Sequence, residues 1–116
     1  MPRYSGALSV STYTESSASG TTAAGYANAI GLDNRGVKNL KIVVKNTDGA
    51  NSLYYKVTVK HADYTAGTDD IIVTETSIAL GDEDVVALNE AYSRVTVAVK
   101  NNSGTSGYTV SYLQNR

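Results

Sequence analysis

A chain of 116 residues with 10 Lys+Arg against 11 Asp+Glu suits one domain and lacks the positive excess of a nucleic-acid or acidic-membrane binder. Cysteine is absent, which excludes a disulfide framework and a thiolate metal site. All nine aromatics are tyrosine, whose ring packs while its hydroxyl stays wet, a property suited to half-buried sheet faces and interfaces.

The first 36 residues differ from the rest. Met1-Pro2-Arg3-Tyr4-Ser5-Gly6 leads into no apolar stretch of the kind a secretory signal carries. No run in the chain is long and apolar enough to span a membrane as a helix. Gly6 to Thr14 alternates weakly, with Leu8 and Val10 on one side, and reads as a strand of low intrinsic stability. Ser16 to Gly25 has the composition of a flexible linker. Tyr26 to Leu32 carries only Tyr26, Ile30 and Leu32 as large apolar residues, too few to offset its own ordering entropy. Residues 1–36 are therefore expected as an extended arm, lying against a neighbouring subunit or as an edge strand on its own domain, with residues 37–116 as the β-domain. The arm's contact candidates are Tyr4, Leu8, Val10, Tyr13 and Tyr26.

Asp33-Asn34-Arg35-Gly36 reads as a turn, because Asn and Gly tolerate positive φ. Leu40 to Lys45 follows as a strand with Leu40, Ile42 and Val44 inward. Asn46 to Ser52 is a polar loop containing Asp48-Gly49, a strong turn signal. Leu53 to Lys60 is the next strand, with Tyr55, Val57 and Val59 on one face. The two strands read as a hairpin with a long loop. Tyr54 and Tyr55 are adjacent, so Tyr54 faces away from the core. It is a candidate interface anchor or sugar-stacking ring, or a cover for a cross-strand neighbour.

Residues 61–70 form a loop, Ile71 to Thr76 and Val85 to Leu88 short strands, and Gly81-Asp82-Glu83-Asp84 an acidic turn. Arg94 to Lys100 alternates strictly, with Val95, Val97 and Val99 on one face and Arg94, Thr96, Ala98 and Lys100 on the other. Tyr108 to Leu113 alternates in the same way. The turn formers between them suggest a closing hairpin. About seven strands with no helical period specify an all-β fold, an antiparallel β-sandwich with immunoglobulin-like or jelly-roll strand order.

Catalytic signatures are missing. There is no G-x-S-x-G and no phosphate-binding glycine loop. His61 is the only histidine; beside Asp63, Asp69 and Asp70 it could serve a metal or act as a base, but a solvated loop histidine is the simpler reading. The acidic turns lack the spacing of a calcium loop and read as charges that keep sheet edges soluble. Asn101-Asn102-Ser103 matches a glycosylation acceptor and reads as a turn. The expectation is a protein that is not an enzyme and holds no cofactor and no metal.

Three stretches, LKIVVKNTDGANSLYYKVTV, VVALNEAYSRVTVAVKN and GTSGYTVSYLQNR, carry a resemblance. Residues 37–116 resemble small β-sandwich accessory proteins of tailed-phage and related virions. The resemblance implies a non-enzymatic capsid decoration or accessory role, with the major capsid or other virion proteins as partners. It further implies a homo-oligomer, as a trimer or within a lattice, assembled in the host cytoplasm, with no nucleic acid or membrane bound. It carries over no functional residue. Two other readings stand beside it: a carbohydrate-binding or adhesin module, and a subunit of a filament or surface layer built by strand exchange.

Overall fold

The computed structural model describes residues 13–61, 70–101 and 104–116. They form eight strands and no helix: β1 (Tyr13–Thr21), β2 (Ala27–Asp33), β3 (Asn39–Asn46), β4 (Leu53–Lys60), β5 (Asp70–Ile78), β6 (Glu83–Leu88), β7 (Arg94–Lys100) and β8 (Gly107–Asn115). The strands make two antiparallel sheets of four. Sheet A has the order β1-β8-β3-β6 and sheet B the order β2-β7-β4-β5.

The first strand thus pairs with the last, the second with the seventh, the third with the sixth and the fourth with the fifth. Such nesting is a long antiparallel ribbon folded over on itself, which is the jelly roll. It decides between the two strand orders that local pattern left open.

The inward faces are the ones alternation marks. Ile42, Val44, Leu53, Val57, Val59, Val95, Val97 and Val110 are fully buried between the sheets, and Tyr55 is 3% exposed. Each fully buried aliphatic side chain contributes about 1.5–3 kcal/mol. The Tyr55 hydroxyl donates to Asp84 Oδ2 at 2.9 Å. Burial, with that carboxylate beside it, pushes the Tyr55 pKa up to about 12.

Three expectations are corrected. The β3–β4 and β7–β8 hairpins do not form, because β3 and β8 lie in sheet A while β4 and β7 lie in sheet B. Their connections bend over one end of the sandwich and bury polar side chains there. Asn101 Nδ2 donates to Ser52 O at 2.7 Å and Ser106 Oγ at 2.8 Å, and Asn46 Nδ2 donates to Asn51 O and Ile78 O. Thr22 Oγ1 accepts from Ser106 N, and Asp48 Oδ1 from Gly107 N. Buried polar groups hold a fold only when they are paired, and here they pin three connections to one another.

The linker reading of residues 16–25 is the second correction, since β1 runs to Thr21 and β2 follows at Ala27. Residues 13–33 give one edge strand to each sheet. Neither strand has to bury its own core: β1 borrows a nine-residue ladder from β8, and β2 lays Leu32 against Val95 of β7. Third, the alternation of β7 implies one buried face, the valine one, yet Thr96 and Ala98 on the opposite face are only 8% and 5% exposed. β7 lies between β2 and β4. A side chain at Gly31, opposite Thr96, would come within 3.3 Å of Arg94 Nη1, so the Arg94 side chain arches over this spot.

Candidate subunit interface

The described surface offers two sheet faces, four strand edges and shallow depressions. Among the described residues no group of three or more His, Cys, Asp or Glu side chains comes together to hold a metal. His61 Nε2 lies 2.6 Å from Asp70 Oδ2, both largely exposed, and its ring is 5.8 Å from that of Tyr92. This pair joins the end of β4 to the start of β5; Asp63 and Asp69 lie outside the described residues. Asn101 is 3% exposed with its amide donating into the chain, so it is closed to glycosylation.

On the outer face of sheet B three strands, β4, β5 and β7, converge on Tyr26, the residue before β2. Its hydroxyl donates to Glu75 Oε1 at 2.7 Å. Its ring lies under two ammonium groups, Lys56 Nζ at 4.4 Å and Lys100 Nζ at 4.8 Å from the centroid. Lys100 Nζ is also 2.8 Å from Glu75. Cation–π contacts at such partly open sites contribute roughly 0.5–1 kcal/mol each. Partial burial, then the bond to Glu75, drives the Tyr26 pKa well above the usual phenol range. The Lys100 and Tyr26 contacts hold the Glu75 carboxyl below its ordinary value. Tyr54 stands directly opposite Lys100 on β4 and is half-buried, so Tyr26 and Tyr54 share this face.

The outer face of sheet A differs. Val43 lies opposite Val85 on β6 and opposite Ser111 on β8, while Lys41 lies opposite Ala87 and Leu113. Val85 is 56% exposed. A depression of about 200 Å³ is lined by Glu15, Lys41, Val43, Ser111, Tyr112 and Leu113. The sequence carried a signal for this patch. In Val43-Val44 and Val85-Val86 two valines are adjacent, so each doublet must turn one valine outward. The outward pair then meets across the strands. The lysine–tyrosine cluster on sheet B had no such signal, because its members come from distant segments.

Of the six interface candidates, Tyr26 and Tyr54 are on sheet B's outer face. Tyr13 opens β1, opposite Asn115. Tyr4, Leu8 and Val10 lie outside the described residues.

No protein-family model matches the sequence, and no curated protein matches it. Solved structures share its fold. A subunit of Bacillus endospore appendages, described as a novel family of disulfide-linked pili, superposes with TM-score 0.57 at 13% identity, over 98% of this chain and 96% of that one. PirA superposes with TM-score 0.61 at 14% identity, over 86% and 93%. A chain of infectious bursal disease virus, Gx strain, gives TM-score 0.47 at 10% identity, over 91% of this chain and 33% of that one. At these identities the likeness to the first two is one of fold.

Proposed function

We propose that this chain is a non-enzymatic building block of a repeating protein assembly. The observation that carries this reading is where its exposed apolar surface lies. Val85, 56% exposed, meets Val43 across the outer face of sheet A, and Ile71, 55% exposed, lies on the edge strand β5 of sheet B. Apolar side chains that meet on a sheet face fit a surface that another protein covers. The end-to-end likeness to a pilus subunit supports the same class of role.

Two homes fit. The resemblance of residues 37–116 to virion accessory proteins favours a capsid decoration subunit, bound to the major capsid protein and exported with the particle. The pilus likeness favours a filament. This sequence has no cysteine, so in either home its own residues join copies without disulfides, unlike the pili just named.

Sedimentation of the native protein from its source tests the reading. Migration with a large particle, released only by denaturant, is the expected result, and electron microscopy of that fraction separates shell from filament. A free monomer at every concentration would overturn the proposal.

A further inference from the structure

Among the described residues each sheet ends in two strands with an open backbone edge, four in all: β1 and β6 on sheet A, β2 and β5 on sheet B. An open edge is a template for another strand, and proteins guard theirs with bulges, charges or brevity. Three of the four are guarded. The β2 ladder is broken by a bulge between Asn28 and Ile30. The β5 ladder slips between Tyr55 and Val57 and again between Val57 and Thr58. β6 has six residues and opens on Glu83-Asp84. β1 is neither bulged nor short. It holds unbroken register with β8 over nine residues, and its one charge is Glu15.

The seam beside that edge is also unfilled. Ser16 lies opposite Tyr112 and Ala18 opposite the buried Val110, so the even-numbered side chains of β1 are on the core side. Yet Thr14 and Ser16 are exposed and Ala18 is half-buried. Ile30, Tyr108 and Tyr112 pack on the core and are still partly open. A strand laid along β1 would complete this seam if it carried apolar side chains at alternate positions. Residues 6–12 of this chain do: Leu8 and Val10 share one face, and the segment holds no charge. Extended, it would cover about 23 Å, most of the β1 edge. It enters β1 directly. To fold back on its own strand it would have to reverse through Val10-Ser11-Thr12, which offers only the weaker turn formers Ser and Thr and no Gly, Asn, Asp or Pro.

We propose that residues 6–12 of one copy add as a ninth strand to the β1 edge of a second copy, with Leu8 and Val10 covering the seam at Ile30 and Tyr112. This rests on the assembly reading and names its contact. Backbone pairing supplies affinity and the alternate side chains supply register. Donor segment and acceptor edge are different surfaces, so the contact is head-to-tail and propagates into a ring or filament.

Two full-length variants test it by sedimentation velocity. Leu8→Asp/Val10→Asp breaks the donor, and Ser16→Lys breaks the acceptor at an exposed position. Thr14→Lys replaces Ser16→Lys if the latter fails to melt cooperatively. Wild-type protein is expected to form a ladder of oligomers, and each variant to associate at least tenfold more weakly. An equimolar mixture of the two is expected to give a heterodimer that grows no further, since it contains one intact donor and one intact acceptor. A mixture that stays monomeric, or a donor variant that still dimerises through β1 against β1, overturns the donor strand while leaving the assembly reading standing. A wild-type protein that is monomeric throughout overturns both.

Discussion

β7 and β1 form equally regular ladders for opposite reasons. β7 buries five consecutive residues, Val95 to Val99, so both of its faces are closed. β1 has only exposed or half-buried side chains wherever they are described, those facing the core side included. Hydrophobic burial holds β7. β1 is held by its ladder to β8 and by the polar tie at its end, where Thr22 N donates to Ser106 O and Ser106 N to Thr22 Oγ1. A strand in this protein can therefore be an element of the core or an edge held by its ladder, and the difference shows in side-chain burial rather than in backbone regularity.

The largest contrast comes from placing the same charge in both strands. Val97→Asp puts an unpaired carboxylate at a fully buried site and should cost more than about 4 kcal/mol, enough to abolish the cooperative thermal transition. Ser16→Asp, at an exposed site, should change stability by less than about 0.5 kcal/mol. Equal effects in a circular dichroism melt would erase the distinction.

Next in size is the polar tie that lets β1 persist without a core face. Asn46→Ala strands the Asn51 and Ile78 carbonyls and the Asp48 amide, which Asn46 Oδ1 accepts; a loss of about 1–3 kcal/mol is expected in chemical denaturation. Gly20→Val tests the tight fit between β1 and β8, since even a Cβ there lies 3.0 Å from the Tyr108 hydroxyl. It should cost about 1 kcal/mol, the scale of a modest overpacking, and would be neutral if β1 were loosely held.

The smallest effect is a pH dependence. Asp48 accepts backbone N–H groups from Asn51, Ala50 and Gly107, which hold its carboxyl below the ordinary value of 3.8. A carboxylate depressed in the folded state stabilises fully above its unfolded value and loses that contribution as pH falls toward its folded one. Acid unfolding followed by tyrosine fluorescence should therefore begin below about pH 4, and Asp48→Asn should flatten the curve in that window. An unchanged acid limb would remove Asp48 from the tie.

Much of the core was legible from residue order. The limits of β7 and the inward faces of β3 and β4 follow from period-two alternation, because neighbouring side chains on a strand must face opposite ways. The turn at Asp33–Gly36 was legible for an equally local reason. Gly36 sits at φ 74°, and Asp33 accepts from the backbone and guanidinium of Arg35. The candidate interface was legible only in part. Tyr54 follows from its adjacency to Tyr55, whereas the grip of Lys56, Lys100 and Glu75 on Tyr26 does not, since those contacts span strands far apart in the chain.

Residue order by itself therefore determined which segments are strands in the core and which side of each faces inward. Tertiary structure decided which strands share a sheet, because alternation is the same whether the next strand pairs alongside or crosses to the facing layer. It also decided that Ser- and Ala-rich segments become β1 and β2. Their order comes from the ladders of β8 and β7, and a pairing partner distant in the chain leaves no mark on local composition.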